Sequence, residues 1–305
     1  MAAVDINRGT TGINLPYEVS DEIWTRAQEE SAIMRLASPI EMPGSGIEVD
    51  IITGDPTASW VGETEEITAS KGAATTKKIK PYKIGVIVPF SMEFARDKAR
   101  LYDEMVARFP GVIGSLFDGT VLGKQSKPGD QFDQLNDVTA IDATDNMWDA
   151  LVAADTAVAA NNAIMNGFAI SPQMKSRLLT AKDGENRPFF VNSVSQGGVP
   201  MLLGNPVYQN RNLYIAGKAP TTSGGSDGVA EVIGMAGDWT SARYGAVQGM
   251  TASVTTDATI KVGSDQINLW QRDMFAIKLT LEVGFGVKSK GDFVRFTGAT
   301  PVYGA

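Results

Sequence analysis

A strictly alternating run near the C-terminus is the clearest hydrophobic pattern in the chain. Apolar residues occupy every second position from Phe275 to Val287, and the positions between them hold Ala, Gly, Thr, Lys or Glu. A period of two predicts a β-strand, and this one would be about 40 Å long. We expect one face of the strand to be buried and the other to be in solvent.

A helical stripe of apolar residues precedes the middle of the chain. From Met92 to Phe109 apolar residues recur in steps of three and four, and Ser91 is a reasonable N-cap. Pro110-Gly111 should kink or interrupt this helix. The apolar pattern then resumes as far as Val121, so a single bent helix of about 30 residues, near 45 Å, is also open.

Two further helices and a short strand are predicted in the middle of the chain. The first helix runs from about 146 to 161, with Asp145 as its cap and an inner face made of Trp148, Leu151, Val152 and Val158. Residues 163–170 resemble a strand. Ser171-Pro172 then opens another helix, because Ser caps helices and Pro suits the first turn. That helix is expected to end near 183–184.

The segment 47–88 has two alternating ends and a polar middle. Ile47, Val49 and Ile51 alternate with acidic residues, and Tyr82 to Val88 alternate likewise. This pattern favours a long two-stranded arm with few apolar residues of its own. Because an isolated two-stranded hairpin is marginal in water, the arm should lie on a neighbouring copy. A solvated loop with scattered charge is the equally weighted alternative.

Charge is segregated along this predicted arm, with acids first and lysines afterwards. Residues 71–83 contain no acid. We expect these side chains to pair between subunits, and each exposed pair contributes only about 0–1 kcal/mol. A bound hard cation at the glutamates is the less favoured alternative. The candidate inter-subunit contacts are Glu63, Glu65, Glu66, Lys71, Lys77, Lys78, Lys80 and Lys83.

Composition excludes most familiar catalytic sites. The 305 residues include no cysteine and no histidine, so a Ser-His-Asp triad, thiolate catalysis and cysteine-based metal sites are impossible. Carboxylate or lysine chemistry remains formally open. The motif G-x-S-x-G at 224–228 lacks its histidine base, and GTVLGK at 119–124 is one residue short of a phosphate loop. We therefore predict no enzymatic activity, no cofactor and no metal site.

The charge balance and the termini bear on location and partners. The formal net charge is −8, whereas a dedicated nucleic-acid binder would usually be basic. An acidic wall can still enclose nucleic acid, because like charge keeps the polymer away from it. The first fifteen residues read as a flexible arm without a secretory signal, and we expect no transmembrane helix and a product that stays in the cytoplasm.

The order of these segments resembles the tailed-bacteriophage major capsid proteins of the Hong Kong 97 type. The likeness spans nearly the whole chain and is in structural positions, so no single motif carries it. The stretches that carry it are LPYEVSDEIWTRAQEESAIMRLA (15–37), WVGETEEI (60–67), KIKPYKIGVIVPFSMEFARD (78–97), LFDGTVLGK (116–124), AIMNGFAISPQMKSRLLTAKDGENRPFF (163–190), LLGNPVY (202–208), MAGDWTSARYG (235–245) and FAIKLTLEVGFGVKSKGDFVRF (275–296).

This resemblance implies an α+β capsid fold of the Hong Kong 97 type. It implies an N-terminal arm at 1–45 and an extended β-hairpin loop at 46–89. A peripheral domain, with a long spine helix and long strands, would comprise 90–125 and 250–305. An axial domain would comprise 126–249.

The resemblance also implies a function and partners. Homo-oligomers, as hexamers and pentamers, would form an icosahedral virion capsid around double-stranded DNA without sequence specificity, assembled in the host cytoplasm. Separate scaffolding, portal and decoration proteins are implied, and no membrane. Some relatives form Lys–Asn cross-links, but closure without covalent bonds is expected here. The alternative is the shell of a bacterial encapsulin-type nanocompartment.

Overall fold

The computed structural model describes most of the chain. The predicted N-terminal arm up to residue 26, and positions 98–106 of the helical stripe, lie outside the described residues. The described ranges are 27–28, 31–54, 56–63, 66–97, 107–182, 201–222, 226–247, 249–263 and 265–302.

Within these ranges the strands form two larger sheets and two separate hairpins. They are β1 (Ser38–Glu41), β2 (Ile47–Gly54), β3 (Ala73–Ile79), β4 (Tyr82–Ser91), β5 (Thr139–Asp142), β6 (Gly167–Ile170), β7 (Met201–Leu202), β8 (Asn205–Gln209), β9 (Val232–Gly237), β10 (Ala242–Ala246), β11 (Thr251–Thr255), β12 (Thr259–Val262), β13 (Asp265–Asn268), β14 (Met274–Val287) and β15 (Phe293–Thr297).

The helices of the described residues are short to medium in length. They are α1 (Ala32–Leu36), α2 (Met92–Asp97), α3 (Phe109–Val121), α4 (Met147–Ala159) and α5 (Pro172–Thr180). Pro110 lies in the first turn of α3, where its missing N–H costs no hydrogen bond. The predicted interruption near Pro110 therefore coincides with a helix start. The Ser171 cap of α5 is confirmed, because its Oγ accepts a bond from Met174 N at 3.2 Å.

Strand β14 organises the five-stranded sheet. One of its edges pairs with β4 along ten residues, and the other edge pairs first with β11 and then with β10. The predicted strand 275–287 is therefore confirmed. Its second face is in solvent only in the middle, around Lys278, because Gly284 and Gly286 are buried.

The strand pairing of the predicted arm was wrong in one respect. Strand β2 pairs with β3, from Ile47 opposite Ile79 to Gly54 opposite Ala73. The alternating segment β4, expected to be the second strand of the arm, instead pairs with β14 in the five-stranded sheet. Its side chains Ile84, Val86 and Val88 pack on the core, so burial of this face decides the pairing.

The six-stranded sheet has the order β5-β15-β9-β6-β8-β7. Strand β15 follows β14 in sequence but lies between β5 and β9, so the C-terminal segment serves both sheets. Likewise β10 belongs to the five-stranded sheet, although it lies within the range 126–249 expected for the axial domain. Helices α4 and α5 share one apolar cluster with this sheet, including Phe168 and Phe296.

The larger core lies between the five-stranded sheet and α3. Phe117 of α3 sits at its centre and is fully buried. Its ring meets Phe132, Tyr244 and Phe285 edge-on at centroid distances of 6.2, 6.4 and 6.1 Å. Edge-to-face packing of this kind stabilises aromatic clusters beyond the area they bury.

Helix α4 differs from its sequence prediction in its cap and its inner face. Asn146 caps it, since the side-chain oxygen accepts a bond from Trp148 N at 3.0 Å, and Asp145 does not. Trp148 and Val152, expected inside, are exposed. Leu151 and Val158 of the predicted inner face are confirmed. The other buried side chains are Met147, Ala150 and Ala154.

Candidate assembly surface

A two-stranded arm lies beside the end of β14 and ends in an exposed loop. Strands β2 and β3 form the arm, and the tip loop comprises the described residues 56–63 and 66–72 between them. Trp60 is fully exposed and Ile67 is 77% exposed. Large apolar side chains held in solvent on a loop are typical of a surface that another molecule covers.

The base of the arm is packed closely onto the end of β14. Ile79 is buried, and a Cβ built on Gly286 would lie 2.5 Å from its Cδ1 atom. A Cβ on Gly284 would lie 2.7 Å from the carbonyl oxygen of Lys80. Glycine is therefore required at position 284 for the two backbones to approach this closely, whereas a side chain at position 286 would displace the Ile79 side chain.

Lys77 fixes the arm through a second contact. Its Nζ lies 2.6 Å from Oδ2 of Asp133 and donates a hydrogen bond to the carbonyl of Val287 at 2.9 Å. The same Asp133 oxygen accepts a bond from Val287 N at 2.8 Å. Asp133 was not identified from the sequence, because it lies in a loop without periodicity and 56 positions away from Lys77.

Two other candidate lysines have acidic partners in the same chain. Lys78 Nζ lies 3.0 Å from Glu48, its register partner in the hairpin. Lys83 Nζ lies 3.1 Å from Glu282, its register partner across β4 and β14. Cross-strand neighbours of opposite charge pair readily. The inter-subunit role of Lys77, Lys78 and Lys83 stays a prediction. Each of these lysines already has an acidic partner within its own chain.

The remaining candidate contacts are divided between the tip and the arm. Glu63 and Glu66 are exposed on the tip loop, whereas Lys71 and Lys80 are exposed at its far end and at the base of the arm. Glu65 lies outside the described residues. Since residues 56–70 contain no basic residue, the tip presents apolar surface together with negative charge.

A buried carboxyl group joins α1 to α3. Oδ1 of Asp118 accepts a bond from Ser31 Oγ at 2.5 Å, and its other oxygen accepts one from Ala32 N at 3.1 Å. Asn210 contributes a longer contact at 3.4 Å. Burial raises the pKa of Asp118 to about 6, and the hydrogen bonds from Ser31 and the backbone only partly oppose that rise. Asp118 therefore holds the described N-terminal helix against α3.

The described ranges also bear on two alternative kinds of function. In them, no three acidic side chains come together in a way that would hold a metal ion. No helix among the described residues is long and apolar enough to cross a membrane. The carboxylates named above are tied to hydroxyl, backbone or lysine partners, or stand exposed on the tip loop.

Known proteins share this architecture. The model of the phage capsid family matches residues 11–298. A protein of Mycobacterium phage L5 named "Probable major capsid protein" is 28% identical over 301 residues, covering 93% of this chain and 89% of the relative. The protein of the same name from Mycobacterium phage D29 is 24% identical over 294 residues, covering 93% and 89%. A solved structure from Gordonia phage Cozz has a TM-score of 0.71 at 20% identity, covering 89% of this chain and 87% of that one.

The phage capsid family consists of structural proteins that form phage shells. The family model covers almost the whole chain. This chain belongs to the phage capsid family. It is a component of the virion capsid, and its role is structural, not catalytic.

Proposed function

We propose that this chain is the major capsid protein of a tailed phage, assembling as hexamers and pentamers into an icosahedral head around double-stranded DNA. The observation that carries the proposal is the arm, whose tip exposes Trp60 and Ile67. The match to the phage capsid family and the named relatives supports it. Repeated contacts between unlike surfaces close into rings and shells when the angles fit.

We assign the two sheets to the two units of such a subunit. The six-stranded sheet with α4 and α5 would be the axial domain, clustered at the centre of each hexamer or pentamer. The five-stranded sheet with α2 and α3 would be the peripheral domain. The boundary is crossed by β15 and β10, so sheet membership defines the units better than position in the sequence.

The tip loop would lie on an adjacent subunit. Its apolar side chains would be buried there, and Glu63 and Glu66 would face basic groups of that neighbour. Because burying a side chain such as Trp contributes about 2–3 kcal/mol, Trp60 should supply more of the contact than an exposed ion pair, which contributes about 0–1 kcal/mol.

The DNA would be retained because the closed shell encloses it, and not through sequence-specific contacts with the chain. With a net charge of −8, the chain is unsuited to broad neutralisation of phosphates. Confinement needs no base contact. Scaffolding, portal and decoration proteins would be separate chains that act on this subunit.

Electron microscopy of the expressed protein tests the proposal. We expect closed particles tens of nanometres across, alone or after co-expression with the scaffolding protein of the same phage. A protein that stays monomeric at high concentration under both conditions would contradict it.

The Trp60→Ala variant tests the part played by the arm. We expect fewer particles at a given protein concentration, with no change in the free energy of unfolding of the free subunit, because the Trp60 side chain is fully exposed. Val262→Ala, an exposed residue of the β12–β13 hairpin, is the matched control. Equal assembly of both variants would exclude a role for Trp60.

A further inference from the structure

A cleft lies between the arm and the end of the five-stranded sheet. On the side of the arm it is lined by Val49, Ile51 and Ile79, and on the side of the sheet by Val287 of β14 and Arg243 of β10. We call it the arm cleft. Its volume is about 210 Å³. Because an apolar cavity of about 150 Å³ already admits benzene, the arm cleft has room for one aromatic side chain.

The charged side chains that line the arm cleft are mainly basic. Arg243 and Lys288 are both in the lining and both exposed, and within the described ranges neither forms an ion pair. Lys77 also lines the cleft, but Asp133 offsets its charge. The described lining contains one acid, Asp50. The arm cleft therefore combines apolar walls with a positive rim.

The tip loop is complementary to this cleft in charge and in apolar surface. Residues 56–70 contain three glutamates and no basic residue. Trp60 stands in the same stretch with its whole side chain in solvent. An indole seated between the apolar walls would leave water, and the neighbouring glutamates would come close to the basic rim. Both kinds of group on the tip loop would thus gain partners in the arm cleft.

The tip loop does not occupy the arm cleft of its own subunit. The cleft lies beside positions 49–51 and 77–79 of the hairpin, whereas the tip loop begins beyond the last pair of the hairpin, Gly54 opposite Ala73. Full exposure of Trp60 shows that its side chain is not seated there. Because one chain carries both complementary surfaces, a second copy can supply the tip loop.

We propose that the arm cleft of one subunit receives Trp60 from the tip loop of a neighbouring copy. Glu63 and Glu66 of that loop then face the basic rim formed by Arg243 and Lys288. The inference rests on the proposed function and names the site at which the tip loop docks. Since the arm forms one wall of the cleft, a seated tip also packs against the arm of the subunit that receives it. Each subunit gives one tip and receives one, so the contact joins unlike surfaces and propagates from copy to copy.

Cysteine cross-linking tests this site directly, because the chain has no cysteine of its own. The double variant combines Ser59→Cys, beside Trp60, with Thr240→Cys, an exposed residue in the lining of the cleft. In assembled particles a short bifunctional thiol reagent should join the two positions between subunits. We expect covalent dimers and larger oligomers on a denaturing gel.

Matched variants separate docking in the cleft from chance collisions. Each single-cysteine variant should stay monomeric on the gel, as should the pair Ser59→Cys with Val152→Cys, since Val152 is exposed on α4 beside the other sheet. Equal linking by that control pair would overturn the site. Particles that assemble but give no links with the first pair would overturn it as well and leave the proposed function standing. The absence of any particle from the unmodified chain would overturn both.

Charge reversal provides a second measurement that needs no cysteine. The cleft-reversed variant carries Arg243→Glu with Lys288→Glu, and the tip-reversed variant carries Glu63→Lys with Glu66→Lys. Each should raise the protein concentration needed for assembly by roughly tenfold, since weak attractions between exposed charges become repulsions in every copy of the contact. Combining the two variants should restore most of the loss. Losses that simply add would overturn the site.

Two controls show that the reversals act at the cleft. The denaturant midpoint of the free subunit should be unchanged in both variants, because all four side chains are exposed. Reversing Lys261 and Lys278, which are exposed lysines outside the cleft, should not restore assembly of the tip-reversed variant. Restoration by that distant pair would mean that net charge governs assembly, and it would overturn the site.

Discussion

Asp118 shows how a single residue can be essential to the fold and hidden from sequence patterns. It sits on the apolar side of α3, where periodicity predicts a hydrophobic residue. The donors that reach it are a hydroxyl, backbone N–H groups and a carboxamide, so none of these contacts carries a positive charge. Burying a carboxylate without a cation disfavours its charged form.

The stability of the free subunit should therefore depend on pH through Asp118. Its pKa of about 6 lies above the ordinary value of 3.8, so between these values the folded chain holds a proton that the unfolded chain has released. The contribution of Asp118 to the free energy of unfolding is then largest below about pH 4 and falls as pH rises from about 4 to about 6, by up to roughly 3 kcal/mol. Denaturant unfolding from pH 4 to 8 measures this.

The Asp118→Asn variant isolates that contribution. Its amide does not titrate, so the difference in unfolding free energy between the two proteins should change with pH in the stated direction. If the difference stays constant from pH 4 to 8, Asp118 does not titrate in this range.

At the scale of elements, the arm is held by its base and not by its own packing. Lys77 and Lys78 are neighbours in β3, yet only Lys77 reaches beyond the hairpin, to Asp133 and Val287. The Lys78–Glu48 pair lies within the hairpin and is exposed. The two lysines therefore form a natural comparison.

We expect Lys77→Ala to loosen the arm and Lys78→Ala to leave it nearly unchanged. Removing a half-buried charge partner costs about 1–3 kcal/mol, whereas an exposed pair contributes about 0–1 kcal/mol. Hydrogen exchange of the amides in Ala73–Ile79 should speed up in the first variant only. Equal exchange in both variants would show that the Asp133 contact does not anchor the arm.

The cap of α4 gives a second comparison of neighbours. Asn146→Ala should lower the free energy of unfolding by about 1 kcal/mol, because the Trp148 N–H loses its side-chain acceptor. Asp145→Ala should change it by less than about 0.5 kcal/mol. Thermal unfolding of both variants decides between them, and a larger effect at Asp145 would contradict the observed cap.

For the whole molecule, assembly itself should add stability. Whatever binds the folded state alone stabilises it by mass action. Subunits in closed particles should therefore unfold at a higher temperature than free subunits in the same buffer, as calorimetry of the two preparations would show. Equal midpoints would mean that the contacts between copies contribute little.

The sequence predicts the long strands and capped helices because their patterns are local. The strand 275–287 and the Ser171 cap follow from periodicity and from one hydroxyl. The pairing of β2 with β3 does not follow from such a pattern, because Ala73–Ile79 has no apolar alternation. The alternating strand β4 pairs with β14, and β3 pairs with β2 in its place. The inner face of α4 does not follow from such a pattern either, because small residues fit against the sheet and Trp148 does not.

The sequence predicts that part of the candidate surface is exposed, while its role between subunits stays a prediction. Glu63 and Glu66 are exposed on the tip loop, because charged side chains in a polar segment remain in solvent. The partners of Lys77, Lys78 and Lys83 could not be assigned, since each depends on strand register or on a distant loop. Such contacts are fixed by tertiary structure and leave no local signal.

The position of β14 and β15 in the sequence has a consequence for synthesis. Strand β14 pairs with β4, β10 and β11, and β15 lies between β5 and β9. Both follow in the sequence every strand that they pair with. A nascent or prematurely terminated polypeptide therefore lacks the centre of one sheet and an interior strand of the other. Neither sheet can be completed before these two strands have been translated, so a place in the particle depends on translation at least as far as β15.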